Sequence, residues 1–109
     1  MSDERRVAQR FSRRLRTEVG SLALYTSNVS ATGIQLVCPG HSLTRFRGMI
    51  DEEHAQITLT LTDGRPVQAR CKLAYVSEHD DEYLLGLHFE RFDGDGAAVW
   101  TSYLDAGAR

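Results

Sequence analysis

Gln56-Ile57-Thr58-Leu59-Thr60-Leu61-Thr62-Asp63-Gly64-Arg65-Pro66-Val67-Gln68-Ala69-Arg70-Cys71-Lys72-Leu73 is the most legible stretch of the 109-residue chain. Ile57, Leu59 and Leu61 alternate with Thr58, Thr60 and Thr62, the period-2 pattern of a half-buried strand. Asp63-Gly64-Arg65-Pro66 is a hairpin turn signal, its glycine free to take positive φ. Val67, Ala69, Cys71 and Leu73 then form the returning strand. A pair of antiparallel strands joined by a tight turn sets the style of the whole fold.

Towards the C-terminus, a polar turn from Glu78 to Glu82 leads into Tyr83-Leu84-Leu85-Gly86-Leu87-His88-Phe89. This reads as the last strand, with Gly86 marking a bulge or a close backbone approach and His88 facing the exterior. The period then changes. Asp93 and Asp95 offer helix caps, and Ala97, Trp100 and Leu104, flanked by Val99 and Tyr103, predict a short amphipathic helix that covers the core. Towards the N-terminus, residues 41–55 have no clean period. Arg45, Phe46, Arg47, Met49 and Asp51-Glu52-Glu53 fit a loop, a short helix or a peripheral strand, and the segment reads as an irregular connection. Ile34, Leu36 and Cys38 predict a strand closed by Pro39-Gly40, and Leu22 to Thr26 predict another that ends at a turn beginning at Asn28. Phe11, Leu15 and Val19, opposite Arg14, Arg16 and Glu18, predict the first. Six strands and one terminal helix define an all-β class, a small six-stranded antiparallel β-barrel with a C-terminal α-helix. Residues 1–10 are expected to form a flexible basic arm, and residues 11–105 the barrel domain with its helix.

Composition narrows the function. At 41% hydrophobic and 26% charged residues, the chain has material for one core. It has no run of about 18 apolar residues to span a bilayer and no secretory leader pattern, so a cytoplasmic location without a membrane partner is expected. Cys38 and Cys71 are too far apart for a CxxC motif and read as small core residues. His41, His54, His79 and His88 lack metal-ligand spacing, so no metal site is expected. No nucleophile–base order or phosphate loop emerges, and an enzyme is not expected.

Charge is unevenly placed. Residues 1–16 carry six Arg against Asp3 and Glu4, a local +4, which leaves −6 for the rest of a chain of net charge −2. A basic arm on a mildly acidic body argues against a broad DNA- or RNA-binding face. The arm has no lysine, and arginine offers what lysine does not: a planar fork for phosphate oxygens and base edges, and a flat face for stacking. Eighteen residues after Arg10 comes Asn28-Val29-Ser30-Ala31-Thr32-Gly33, rich in small polar donors.

These residues carry a resemblance. Glu4-Arg5-Arg6-Val7-Ala8-Gln9-Arg10 is similar to the double-arginine form of the RxxxR element of PilZ domains, and Asn28-x-Ser30-x-x-Gly33 to their second element, an Asp or Asn followed by xSxxG. Leu85-Gly86-Leu87-His88-Phe89 resembles the glycine-containing last strand of the family. The resemblance implies a receptor or adaptor for the bacterial second messenger cyclic di-GMP. Its arginine arm would fold over the ligand and alter the surface offered to a downstream protein. It implies that Arg6 and Arg10, supported by Arg5, bind phosphates and guanine, that Asn28 pairs with a base edge, that Ser30 donates to a phosphate and that Gly33 admits the ligand to the backbone. Arg10 and Arg14 are also four apart, and this second register stays open beside the first. The ligand would bind singly or as a self-stacked pair, with Arg5 favouring the pair. No cofactor is implied. The alternative is a nucleotide-independent protein-interaction module of the same family.

Overall fold

The computed structural model describes residues 9–107. Strand β1 (Arg16–Val19) turns at Gly20 into β2 (Leu22–Val29), which pairs with β3 (Gly33–Pro39). A single 3-10 turn, Gly40–Ser42, leads into helix α1 (Leu43–Met49), and the chain returns as β4 (His54–Thr60), β5 (Pro66–His79) and β6 (Glu82–Phe92) before helix α2 (Gly96–Gly107). The order around the sheet is β1-β2-β3-β6-β5-β4, and β4 pairs with β1 to close a barrel in which every pairing is antiparallel. The expected all-β barrel with a terminal helix is the observed architecture.

The two-residue period explains the closure. Ile57 and Leu59 on β4, Val67, Ala69 and Cys71 on β5, Leu85 and Leu87 on β6, and Ile34, Leu36 and Cys38 on β3 all point inward and are buried. Each large aliphatic side chain taken out of water contributes about 1.5–3 kcal/mol. Trp100 and Leu104 of α2 close one end of the barrel. Phe46 of α1 is fully buried, and Met49 of the same helix lies against Gly20 at the β1–β2 turn, towards the opposite end.

Four expectations are corrected in detail. The first strand is shorter than its pattern implied: Phe11 makes only an isolated bridge to Val29, and the ladder begins at Arg16. Thr26 is the cause. Its buried hydroxyl donates to the Arg13 carbonyl at 2.6 Å and accepts from the Leu15 amide at 2.8 Å, replacing two ladder hydrogen bonds with side-chain ones. Second, β2 does not stop before Asn28. A bulge between Thr26 and Asn28 carries the strand through to Val29, so Asn28 is a strand residue and the turn proper starts at Ser30. Third, residues 41–55 contain the 3-10 turn, helix α1, and a tight bend in which Glu52 (φ 51°) and Glu53 (φ 73°) take left-handed conformations. Fourth, Ala97 is exposed, and the buried stripe of α2 is Gly96, Trp100 and Leu104.

Gly86 is the close approach its sequence position implied. A Cβ there would lie 2.1 Å from the Tyr75 ring, because a bulge between Leu73 and Tyr75 lays that ring across the outside of β6. The phenol then donates to Gln35 Oε1 on β3 at 2.6 Å.

Both cysteines are buried and unpaired. Burial pushes the Cys71 thiol up from 9.0 to about 12, with the negative charge of Glu90 adding to the shift. Burial also raises Cys38. The unfolded thiols ionise first, so this contribution to stability is complete below pH 9.0 and declines as pH rises towards 12. At pH 8 the folded protein is therefore expected to resist thiol reagents and to react at both positions only in urea. The urea midpoint should fall as pH is raised above 9.0. Rapid modification of the folded protein at pH 8 would contradict the packing described here.

Candidate functional site

The segment from Ser30 to Gly33 is built as a closed turn. The Ser30 amide donates to the Gly33 carbonyl at 2.8 Å, and Ser30 Oγ accepts from the amides of Gly33 and Thr32 at 3.1 and 3.2 Å. A serine hydroxyl recruiting amides two and three residues ahead is how such turns are fixed locally. Trp100 Nε1 donates to the Ser30 carbonyl at 3.0 Å, which ties the turn to α2. Ser30 is fully buried. Its hydroxyl takes part in the turn.

Gly33 also has a role in the fold. A Cβ at this position would lie 2.3 Å from the Leu87 carbonyl oxygen, so the absent side chain lets β3 pass close to β6.

Asn28 is half-buried, beside the β2 bulge. Its Oδ1 accepts a hydrogen bond from Arg10 Nη1 at 2.5 Å, across eighteen residues of sequence. This joins the arginine element to the Asn element directly. Arg10 is exposed, and among the described residues Asn28 takes one of its five N–H donors. Arg14, the alternative second arginine, lies with its guanidinium 3.9 Å from the centroid of the Tyr25 ring, the geometry of a cation–π pair. Arg5 and Arg6 lie outside the described residues. The two registers of the arginine pair therefore share the one member, Arg10, that is seen on Asn28.

The outer surface next to this contact is polar and flat. Gln35 Nε2 donates to Ser27 Oγ at 2.9 Å while Gln35 Oε1 accepts from Tyr75, so one line of side chains crosses from β2 over β3 and β6 to β5. A shallow depression lined by Ser12, Arg13, Arg14, Thr26, Ser27 and Val37 lies between this line and the segment entering β1. Tyr25, Gln35 and Tyr75 were not legible as site residues. Each occupies an outward position in an alternating strand, and nothing in its own neighbourhood distinguishes it from surface.

Electrostatically the site gathers arginines that are not ion-paired among the described residues. Among the described residues, Arg16, Arg65, Arg70 and Arg91 each form an ion pair, with Glu18, Asp63, Glu90 and Asp93 respectively. Arg10 instead meets a neutral amide, Arg13 donates to the Ser12 and Gly107 carbonyls, and Arg14 meets an aromatic face. These three retain full positive charge for an anion. Among the described residues no group of three or more His, Cys, Asp or Glu could hold a metal ion. Among the described residues no helix is long and apolar enough to cross a membrane.

The fold is a closed six-stranded barrel, entered by an arginine-bearing segment that reaches the Asn-x-Ser-x-x-Gly element. The chain belongs to the PilZ domain family, whose family model matches residues 2–105. That family comprises receptors and adaptors related to cyclic di-GMP. No curated protein matches the chain. Among solved structures, the Bacillus subtilis inhibitor of motility, MotI/DgrA, is similar in fold, with a TM-score of 0.75 at 15% identity over 91% of this chain. The match covers 48% of the MotI/DgrA chain.

Proposed function

We propose that this protein is a bacterial cyclic di-GMP receptor and adaptor, acting in the cytoplasm, whose N-terminal arginine arm closes over the ligand against the barrel. The observation that carries this reading is the Arg10–Asn28 hydrogen bond, which brings the two ligand elements of the family together in space. A cyclic dinucleotide presents two phosphates and two guanine faces, and guanidinium groups can neutralise the former and fork onto or stack on the latter. Arg10 serves as the hinge contact, Arg5 and Arg6 as the groups that engage ligand with it, and Asn28 as the base-edge partner. Arg14 supplies a stacking surface with Tyr25. Ser30 and Gly33 hold the turn in the shape that presents Asn28. No step makes or breaks a covalent bond, so the protein is read as a non-enzyme without a cofactor. A downstream protein reads the closed arm.

Calorimetric titration with cyclic di-GMP tests this. The wild-type chain is expected to give a saturable signal, with two nucleotides per chain if Arg5 supports a self-stacked pair. Arg10→Ala removes charge-assisted contacts of about 1.5–3 kcal/mol each, so affinity should fall about 10- to 100-fold or more. Because Arg10 is exposed, the thermal midpoint should stay unchanged. Absence of heat from the wild-type chain at high protein concentration overturns the proposal.

That outcome would favour the second reading, a nucleotide-independent interaction module. One observation supports it: Ser30 and Gly33 are both accounted for by turn and strand packing without any ligand. Binding of DNA or RNA through the arm would instead show steep salt dependence and no competition by cyclic di-GMP.

A further inference from the structure

A groove of about 580 Å³ lies on the outer face of β2 and β3, bounded by Arg14, by His41 of the 3-10 turn and Arg45 of α1, and by Glu82 at the start of β6. Its floor follows from strand register. Tyr25 and Val37 are directly paired across the two strands, and both face outward because their neighbours Leu24 and Leu36 face the core. Apolar surface is therefore exposed at the bottom of a concavity whose size suits a few side chains.

The cations around it are not neutralised in place. Among the described residues Arg14 and Arg45 have no carboxylate partner, as is also true of Arg10, Arg13 and Arg47, whereas Arg16, Arg65, Arg70 and Arg91 each have one. A shortage of acids does not explain this, since the chain carries 15 Asp and Glu against 13 Lys and Arg. Glu82 lines the same groove and forms no ion pair with either guanidinium. Arg14 instead lies on the floor tyrosine, which holds its charge at the groove. Two unneutralised forks beside an apolar floor match a ligand with carboxylates flanking an apolar side chain. The isolated carboxylate of Glu82, by contrast, opposes a continuous phosphate chain, which needs an unbroken track of cations.

We infer that this groove docks a short acidic segment of a partner protein, with an apolar side chain on the Tyr25–Val37 floor and carboxylates on Arg14 and Arg45. The closed barrel offers no strand edge on this face, because β2 and β3 are each paired on both sides. Recognition is therefore by side chains rather than by strand addition. Glu82 sets selectivity by repelling an acid placed on the wrong side of the apolar anchor.

The experiment uses a fluorescein-labelled hexapeptide with two central leucines between pairs of acidic residues, and its counterpart with lysines for the acids. Both are titrated with the full chain in nucleotide-free buffer and followed by anisotropy. The acidic peptide should saturate and the lysine peptide should not. Arg45→Glu should weaken the acidic peptide about tenfold or more, and Glu82→Gln should tighten it. Arg45 is exposed, so Arg45→Glu should melt like the wild type, and the melt is measured alongside. Equal binding of the two peptides, unchanged affinity in Arg45→Glu, or no binding of the acidic peptide at millimolar protein overturns the inference. Arg14 and Tyr25 are shared with the proposed nucleotide surface, so the peptide is titrated without nucleotide, and its outcomes are read independently of the Arg10→Ala titration.

Discussion

Gly33→Ala is expected to destabilise the barrel by about 3 kcal/mol or more, a large effect for one methyl group. The added Cβ would sit 2.3 Å from the Leu87 carbonyl oxygen and 3.3 Å from His88 Cα. Both belong to the backbone of β6, which is held between β3 and β5 and has no flexible side-chain end to swing away. Relief requires the β3–β6 ladder itself to part at the Gly33–His88 pair. Urea unfolding, followed through the single tryptophan, Trp100, gives the measurement. Gly48→Ala is the control, because that position lies within α1 and a Cβ there meets nothing within 4 Å; it should be neutral or slightly stabilising. A Gly33→Ala midpoint equal to the wild type would show that the two strands are not held at this separation. The result also bears on binding studies. Lost nucleotide affinity in a Gly33 variant would reflect a damaged barrel unless its unfolding midpoint is preserved.

Trp100→Ala should cost about 3–5 kcal/mol, the range for deleting a large buried aromatic. Trp100 is 1% exposed. It meets the Phe89 ring edge-on at 5.5 Å and stacks on Tyr103 at 5.6 Å. It also supplies the N–H that reaches the Ser30 carbonyl. Trp100→Phe separates the two contributions by keeping most of the apolar volume and removing the donor. The buried Ser30 carbonyl then loses this donor, at a cost of about 1–3 kcal/mol. In this second variant, amide exchange at Thr32 and Gly33 should quicken more than exchange in the distant β4–β5 hairpin. Uniform change across the barrel would mean that Trp100 supports the core without specifically holding the turn. Far-UV circular dichroism replaces fluorescence as the probe in both variants.

The barrel was legible because alternation survives in four of its strands almost without interruption. Ile57 to Leu61, Val67 to Cys71, Ile34 to Cys38 and Leu85 to Phe89 each place apolar side chains on one face, and the hairpin at Gly64 fixes one pairing. Where the reading shifted, a side chain had taken over a backbone's work. Thr26 replaces ladder bonds with its hydroxyl, and nothing in a short run of residues marks a threonine that will do so. The bulge that follows keeps Asn28 in the strand, although Asn beside Ser reads locally as a turn. Helix α1 was open for another reason. It is seven residues long and contributes one fully buried side chain, Phe46, too little to establish a period.

The site divides along similar lines. The Asn28 element was visible as a pattern of small polar residues, and its contact with Arg10 follows from how the entering segment runs beside β2. The roles of Ser30 and Gly33 were less legible, since a serine or glycine reserved for a turn or a strand crossing has the same letters as one reserved for a ligand. The groove on β2 and β3 was hidden entirely. Arg14 and Arg45 are 31 positions apart, and only the return of the chain through α1 brings both to one concavity.

Arg13 donates from Nη2 to the Gly107 carbonyl at 2.8 Å, a contact spanning 94 positions. It pins the approach to the barrel against the last turn of α2, so Arg13 before the first strand lies beside Gly107 at the end of the helix. A polypeptide could therefore enter and exit this fold as a loop does, and a host protein could carry the barrel as an insertion without stretching either junction. For the same reason, a pull on Arg13 is delivered to α2 through Gly107 as well as to the sheet through β1.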